Sequence, residues 1–192
     1  MSGVAALVLA AGRGRRFGAD KRLARLEDGR TLLAATLALA GEAFDEVWVV
    51  LRAEDPATLA AGCRIVRCAD ADAGMGHSLA AGIRAVAQGS TAEALAVLLG
   101  DMPWISLHSL RLLQARSAAR SILLPEYRGQ RGHPVIFGRC FWPALANCRG
   151  DQGARGLLLQ EASACRSLPV DDPGVVCDVD HRADLLRGCP RA

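Results

Sequence analysis

The sequence has only one lysine, Lys21. The other 22 of its 23 basic residues are arginine. In a chain this biased toward arginine, a retained lysine indicates a role that needs a compact ammonium group and that a planar guanidinium cannot fill. Lys21 is therefore a candidate functional residue, and the alternative is that it persists by chance.

Long apolar runs and blocks of like charge are also missing. Runs such as Val4–Ala11 and Ala94–Leu99 fall far short of the ~20 residues that cross a bilayer. The 23 basic and 20 acidic residues give a net charge of only +3, which argues against a nucleic-acid or membrane partner. The chain enters an apolar strand without the pattern of a secretion signal, so we expect a soluble, cytoplasmic protein.

The cysteines form no recognisable metal or disulfide pattern. There are seven of them, an odd number, and no two stand in a C-x-x-C pair. This spacing suggests neither a zinc site nor a disulfide scaffold. We expect reduced, partly buried thiols.

The length and the composition suit one domain. The chain has 192 residues, of which 51% are hydrophobic and 22% are charged, which is enough for one core and thin for two. No internal repeat, low-complexity tract or linker divides it. We predict a single domain over residues 1–192.

Apolar strands and helices alternate along the first 120 residues. A parallel sheet with helices on both faces, a doubly wound α/β fold of three layers, is the expected architecture. The predicted strands are Val4–Ala10, Glu46–Leu51, Arg64–Arg67 and Ala94–Leu99, and the predicted helices are Thr31–Glu42, Asp55–Ala61, His77–Gln88 and Ser106–Arg120.

The alternation changes after Ser121. Here the pattern predicts strands at Ser121–Leu124, Pro134–Phe137 and Val175–Val179, and helices at Arg139–Ala146 and Asp151–Gln160. Because two of these strands flank a short polar turn, we expect part of this segment to pair antiparallel or to lie at the sheet edge.

The loop after the first strand is typical of a polyphosphate site. The segment Leu9–Lys21 combines glycines at Gly12, Gly14 and Gly18 with several cations. Glycines let backbone amides approach an anion, and Arg or Lys neutralises it. Phe17 breaks the dinucleotide-binding fingerprint, and Lys21 lacks the following Ser or Thr of a P-loop. A solvated arginine loop is the alternative.

Carboxylates follow two predicted strands. Asp101 follows the strand Ala94–Leu99 after one glycine, and Asp178 and Asp180 stand at the end of the last predicted strand, where alternate residues could point to one side. One carboxylate from each of two strand ends could hold a Mg²⁺ that also bridges phosphate oxygens. The alternative for Asp101 is a turn-forming or helix-capping role.

Three further segments marked by glycine contain polar candidates. Gly74–Leu79 opens a helix whose amides and Ser78 hydroxyl could receive a nucleotide, although a plain helix cap explains them as well. The Gly132-His133-Pro134 turn and the Gly150–Arg155 turn are candidates for the second substrate. A packed histidine is an equally good interpretation of His133, and no arrangement for covalent catalysis can be assembled by spacing.

In this order, the motifs resemble those of the MobA-like nucleotidyltransferases, and among them most closely the molybdenum cofactor cytidylyltransferases. The resemblance spans nearly the whole chain. Gly14 and Phe17 replace the usual Ser and Met of the first motif, and Cys68 replaces a frequent Asn. The motifs that carry it are Leu9-Ala10-Ala11-Gly12 with Arg16, Gly18 and Lys21; Gly74–Leu79; Gly100–Pro103; Gly132–Pro134; Gly150–Arg155; and Asp178 with Asp180.

The resemblance implies a Rossmann-like α/β/α domain, similar to the nucleotide-diphospho-sugar transferases, that transfers CMP from CTP to the terminal phosphate of molybdopterin and releases pyrophosphate. Ala10-Ala11-Gly12 resembles the cytidylyltransferases. The implied roles are catalysis by Lys21, Arg16 and Asp101; nucleotide binding by Leu9, Ala10, Ala11, Gly12, Gly14, Gly74 and Ser78; Mg²⁺ binding by Asp101 and Asp180; and acceptor binding by Gly132, His133, Pro134, Asp151 and Arg155.

Other functions remain open at this stage. The nucleotide could be GTP, and the acceptor could be a sugar phosphate or phospholactate. A non-catalytic escort that delivers molybdenum cofactor is a further alternative, which the intact Lys21, Asp101 and Asp180 disfavour. A molybdoenzyme or its chaperone is the candidate protein partner.

Overall fold

Eight strands form one sheet within residues 3–14 and 17–189, the part of the chain that the computed structural model describes. The strands are β1 (Val4–Leu9), β2 (Val47–Arg52), β3 (Arg64–Cys68), β4 (Ala94–Leu99), β5 (Ile122–Tyr127), β6 (Gln130–Arg131), β7 (Val135–Gly138) and β8 (Cys165–Pro169). The helices are α1 (Leu32–Ala43), α2 (Met75–Gly89), α3 (Leu107–Arg116), α4 (Trp142–Leu145), α5 (Arg155–Gln160) and α6 (Arg182–Arg187).

The sheet has the order β3-β2-β1-β4-β7-β5-β6, and β8 pairs with β5. Strands β1 to β4 are parallel, whereas β7 runs antiparallel to both of its neighbours, β4 and β5. The parallel first half and the antiparallel element that were predicted for the second half are both confirmed. Strand β7 lies inside the sheet, whereas β6, which pairs antiparallel with β5, lies at its edge.

Alternate residues of the strands supply two separate cores. Ala5 and Leu7 of β1 pack in the core on one face, with Leu79 of α2. Ala6 and Val8 point to the other face, where α1 and α3 complete the second core. All four β1 residues have no exposed surface, as expected for a strand covered on both faces.

Helix α2 lies very close to the sheet. A Cβ atom on Gly82 would come within 2.6 Å of a Leu7 methyl group and 2.9 Å of Val50. Glycine at this position therefore sets the distance between the helix and β1. Since α2 begins at the edge where β1 ends, this distance also fixes where its first turn lies.

The predicted helix over Asp55–Ala61 is wrong. The chain forms only a 3-10 turn at Ala57–Ala60, because the Asp55 carboxylate folds back to accept a 2.9 Å hydrogen bond from the Arg52 amide. Gly62 then continues with a φ of +83°. The predicted helices over Ser106–Arg120 and Asp151–Gln160 are shorter in the structure, where α3 ends at Arg116 and α5 begins at Arg155.

The predicted strand over Val175–Val179 is also wrong. Residues Pro173–Val176 form a 3-10 turn, capped by the Asp172 side chain. Gly174 packs so tightly on the backbone of Trp104 that a Cβ would come within 2.1 Å of its carbonyl oxygen. The last strand along the chain is β8. Its residues are partly or fully exposed and include no apolar run, so its sequence does not predict a strand.

The strand directions bring three loops to one edge. Parallel β1 and β4 both end there, and antiparallel β7 begins there, with Val97 of β4 opposite Val135 of β7. Asp101, which follows β4, and His133, which precedes β7, therefore meet at the same edge. Within the described residues, no helix has the length and hydropathy to cross a membrane.

Candidate active site

A cavity of about 390 Å³ lies at the edge of the sheet where β1 and β4 end. Every predicted nucleotide-binding residue except Gly14 lines this cavity. Its lining comprises Leu9, Ala10, Ala11, Gly12, Arg13, Lys21, Arg22, Ala71, Asp72, Gly74, Met75, Ser78, Leu99, Gly100, Asp101 and Asp151. Asp151, which was predicted to bind the acceptor, faces this first cavity. Gly14 has a φ of +57° and packs on the Lys21 side chain, and Arg16 lies outside the described residues.

The Lys21 ammonium group lies against the predicted metal ligands. Its Nζ atom contacts the Asp101 carboxylate and lies 3.6 Å from Asp180 Oδ1. It also donates to the carbonyl oxygen of Val179 over 3.2 Å. The Lys21 side chain is only 18% exposed, so its charge acts in a partly desolvated position.

Three carboxylates form one cluster at this point. Oxygen atoms of Asp101, Asp178 and Asp180 all lie within 4.8 Å of one another. Partial burial and the negative charges of Asp101 and Asp180 raise the pKa of Asp178. Asp101 Oδ1 is buried and has no hydrogen-bond partner among the described residues. Carboxylate oxygens so placed fit a hard divalent cation.

A buried valine brings two of these carboxylates to the cluster. Val179 has no exposed surface and packs with Phe17 and Leu32 in a small core of its own. Its amide donates a 3.1 Å hydrogen bond to the carbonyl oxygen of Asp101. Asp178 and Asp180 flank this anchor in an irregular segment, so their closeness does not come from the strand that was predicted for them.

Arg22 forms a buried clamp that the sequence did not indicate. All five N–H groups of its guanidinium donate to described oxygen atoms. Two go to Asp20, two to Asp55 and one to the carbonyl oxygen of Ala10, over distances of 2.5 to 2.9 Å. Since Asp55 is 33 positions away, no local pattern reveals the pair.

This clamp controls the ionisation of its carboxylates. Burial opposes the charge of Asp55, but hydrogen bonds from Arg22 and the Arg52 amide outweigh it and hold its pKa at about 2. Hydrogen bonds from Arg22 also lower the pKa of Asp20. Both carboxylates therefore stay charged at neutral pH, and the 3-10 turn at Lys21–Leu23 is held between the ends of β1 and β2.

Two glycine motifs pack against each other beside the cavity. The Gly76 amide donates a 2.7 Å hydrogen bond to the carbonyl oxygen of Gly150. A Cβ on Gly74 would lie 2.4 Å from that same oxygen and 2.6 Å from Asp151 Oδ1. These glycines let the Gly150 turn approach the start of α2, which is why Asp151 reaches the first cavity.

A second cavity of about 310 Å³ adjoins the first and shares Leu9, Met75 and Leu99 with it. Its lining includes the predicted acceptor residues Gly132, His133 and Arg155. Pro134 is buried and lines neither of the two cavities described here. The rest of the lining is largely apolar: Leu79, Val97, Leu124, Arg131, Val135, Phe137, Gln152, Gly153, Ala154 and Leu158.

His133 lies between this second cavity and the acidic cluster. Burial lowers the pKa of His133, although the charges of Asp101 and Asp178 act in the opposite direction. Its Nδ1 atom is buried, and no residue in the described ranges forms a hydrogen bond with it. Arg131 and Gln152 face the same cavity. Gln152 belongs to the Gly150–Arg155 turn predicted for the second substrate, whereas Arg131 was not a candidate, because it stands beside the more conspicuous Gly132 turn.

Comparison with known proteins decides the family. Residues 6–165 match the MobA-like NTP transferase domain. The chain belongs to this family. Two curated relatives align over nearly the full length: the purine catabolism protein PucB of Bacillus subtilis, 31% identical over 93% of each chain, and nicotine blue oxidoreductase of Paenarthrobacter nicotinovorans, 35% identical over 96% of this chain and 95% of that protein.

Solved structures agree with the family assignment. The Rv0371c protein of Mycobacterium tuberculosis is 32% identical, with a TM-score of 0.84 over 97% of this chain and 96% of that one. A structure of Rv0371c in complex with manganese is 28% identical, with a TM-score of 0.78 over 97% of both chains. This MobA-like domain thus has the fold that the motifs implied, and its acidic cluster is consistent with a divalent metal.

Proposed function

We propose that this member of the MobA-like family transfers CMP from CTP to the terminal phosphate of a molybdopterin-type cofactor. One observation carries the proposal. Lys21 and Asp101, one of three clustered carboxylates, line a glycine-containing cavity that adjoins a second, largely apolar one. Such an arrangement can hold two substrates with their reacting phosphates at the boundary.

The first cavity suits a nucleoside triphosphate. The ends of β1 and β4 offer backbone groups at Ala11, Gly12 and Gly100, and the first turn of α2 adds the hydroxyl of Ser78. Helix starts and glycine loops of this kind bind phosphates through free amides. The preference for CTP rests on Ala10-Ala11-Gly12, which resembles the cytidylyltransferases.

The acidic cluster fits a divalent cation, for which we propose Mg²⁺. Asp101, Asp178 and Asp180 would hold it, and Asp101 Oδ1, which has no hydrogen-bond partner within the described part of the chain, supplies a ready ligand. When bound, such an ion stabilises negative charge on phosphate oxygens. The preference for magnesium over manganese is part of this proposal.

The chain's own residues position and neutralise the reacting groups. An oxygen of the acceptor phosphate forms a bond to the α-phosphorus of CTP, and the bond from that phosphorus to the bridging oxygen breaks. Pyrophosphate leaves with the electron pair. Lys21 offsets charge beside the α-phosphate, and the resemblance assigns Arg16 to the same triphosphate.

The second cavity suits an acceptor that combines an apolar body with anionic groups. Its floor consists of side chains such as Val97, Leu124 and Phe137, and Arg131 and Arg155 lie on its walls. Apolar walls with a few convergent polar groups are typical of small-molecule sites. A flat heterocycle that bears a phosphate would bury its ring here and direct the phosphate toward Lys21.

The test is pyrophosphate release. The purified protein is incubated with Mg²⁺, molybdenum cofactor and each NTP in separate reactions, with Lys21→Ala as the matched inactive variant. Release with CTP but with no other NTP supports the proposal, and release with GTP would correct the nucleotide. In parallel reactions a sugar phosphate or phospholactate replaces molybdenum cofactor, and release with CTP in one of these would correct the acceptor.

An escort function is the second candidate, and it would show cofactor binding without release under any NTP. The apolar second cavity would serve such a protein, but the acidic cluster beside Lys21 would then have no use. We further propose that residues 1–192 act as one cytoplasmic domain. The product would pass to a molybdoenzyme or its chaperone.

A further inference from the structure

A third cavity, of about 280 Å³, lies on another face of α2. His77, Ala80, Ala81 and Arg84 face it at helical spacing, whereas Ser78 and Leu79 of the same helix face the first and second cavities. The other lining residues come from the end of β3 and the segments that follow β3 and α4: Arg67, Cys68, Ala69, Asp70, Ala146, Cys148 and Arg149. None of these residues has a role in the proposed transfer reaction.

Three guanidinium groups line this cavity. Among residues 3–14 and 17–189, no carboxylate lies within ion-pair distance of Arg67, Arg84 or Arg149. The lining contains one carboxylate, that of Asp70. The cavity therefore carries an excess of positive charge.

Two of these arginines are held in place by backbone oxygens. Nη1 of Arg67 donates to the carbonyl oxygens of Asp55 over 2.6 Å and of Arg52 over 3.1 Å. Nη1 of Arg84 donates to the carbonyl oxygen of Ala146 over 2.7 Å. Carbonyl oxygens orient a guanidinium but do not neutralise it, so the other N–H groups remain available to an anion.

His77 adds a fourth donor. Its Nδ1 atom accepts a 3.3 Å hydrogen bond from the Gly150 amide. In the neutral ring this contact assigns the proton to Nε2, which is then a donor. The wall of the cavity thus combines three guanidinium groups, two of which are held by backbone carbonyl oxygens, with an imidazole N–H.

We propose that this cavity binds a small molecule that bears a phosphate group, at a site separate from the nucleotide and acceptor cavities. Guanidinium groups recognise phosphate oxygens with paired, charge-assisted hydrogen bonds. The volume is close to the lower bound of small-molecule sites, so a compact phosphate ester fits better than a nucleotide. Occupancy acts on the Gly150 turn through His77, and this turn also contacts Gly76 beside the nucleotide cavity.

The chain offers a direct probe, because it has only four histidines. Imidazole NMR signals of the full chain are followed during titration with inorganic phosphate and with glycerol phosphate. The His77 signals, assigned with His77→Gln, are expected to move in a saturable manner. His108, exposed on α3, is the internal control.

Paired variants separate this site from the catalytic one. Arg84→Gln with Arg149→Gln removes two of the cavity's cations, and Arg111→Gln with Arg116→Gln removes the same charge from exposed positions on α3. We expect the first pair to weaken the His77 response by at least ~10-fold and the second pair to leave it unchanged. Lys21→Ala should also leave it unchanged.

Two results would overturn the site. One is a His77 signal that neither anion moves. The other is a response of equal strength in the Arg84 and Arg149 variant, which would assign phosphate binding to another part of the protein. Because binding is measured without turnover, neither result depends on the proposed transferase activity.

Discussion

The guanidinium of Arg22 donates a 2.9 Å hydrogen bond to the carbonyl oxygen of Ala10. This contact joins the turn that carries Lys21 to the end of β1, where the base of the nucleotide is proposed to bind. Arg22 itself is 4% exposed. Its five donors are all used within the clamp, so we assign it a positioning role.

Replacing Arg22 should therefore cost both stability and substrate affinity. Arg22→Ala leaves the buried Asp55 with only its contacts to Arg52, which costs about 3 kcal/mol of unfolding free energy, the lower end of the range for a broken buried pair. Arg22→Lys should lose less stability than Arg22→Ala. Its ammonium group keeps the charge but has only three donors for the five oxygen atoms that Arg22 contacts. Urea unfolding and the KM for CTP measure the two effects.

A surface pair provides the control. Arg30 and Asp28 form the same kind of ion pair with both side chains about half exposed, and exposed pairs contribute roughly 0 to 1 kcal/mol. Arg30→Ala should then change the free energy of unfolding far less than Arg22→Ala. Equal losses in the two variants would contradict the clamp.

The clamp also predicts a pH dependence of stability. Because the pKa of Asp55 is lowered to about 2 in the folded chain from about 4 in the unfolded one, its contribution is present above about pH 4. It is lost as the pH falls to about 2. In Asp55→Asn, the free energy of unfolding should decrease less steeply as the pH falls through this interval. Asp171→Asn, at an exposed position, should leave the slope as it is in the parent.

Lys21 is expected to be needed for turnover. Lys21→Ala removes the ammonium group beside the reacting phosphates and should lower kcat on the order of 10²-fold or more. Lys21→Arg should also be impaired, because the planar head is bulkier. Arg25→Ala, a change four residues away at an exposed position, is the control. Full activity of either Lys21 variant would refute the assigned role.

The acidic cluster predicts a measurable metal site. Removing the metal with a chelator should abolish pyrophosphate release, and added Mg²⁺ should restore it. Asp178→Asn and Asp180→Asn should each weaken Mn²⁺ binding, followed by electron paramagnetic resonance, on the order of 10-fold or more. Asp171→Asn again serves as the control. Unchanged Mn²⁺ affinity in both cluster variants would exclude these residues as ligands.

Two helical glycines should respond to alanine in opposite ways. At Gly76, a Cβ would lie 2.7 Å from the backbone of Arg149, so Gly76→Ala must displace the Gly150 turn. It should cost about 1 to 3 kcal/mol and raise the KM for CTP. Gly41 in α1 has no atom within 4 Å of such a Cβ, and Gly41→Ala should stabilise the chain by up to ~1 kcal/mol. Thermal unfolding and steady-state kinetics of both variants provide the comparison.

The parallel half of the fold could be predicted because its information is local. Val4–Leu9 and Ala94–Leu99 are short apolar runs that suit strands covered on both faces. Thr31, the first residue of a predicted helix, caps α1 by accepting a hydrogen bond from the Ala34 amide. Each of these features depends on residues within a few positions of one another.

The second half was harder to predict because its apolar residues are not in regular elements. Val175 and Val179 are fully buried, and their burial imitates a strand pattern. In the structure Val175 accepts a hydrogen bond from the His133 amide, and Val179 anchors on the backbone of Asp101. Burial is visible in a sequence, but the partner of a buried residue is not.

The sequence by itself determined the α/β alternation, the glycine loop with Lys21 and the family to which the chain belongs. Only the tertiary structure decided that Asp178 joins Asp101 and Asp180, that Asp151 faces the first cavity, and that Arg22 pairs with Asp55. The physical reason is distance along the chain. Local patterns encode which residues are buried and with what period, whereas the meeting of Lys21 with Asp101, 80 positions away, depends on strand order and packing.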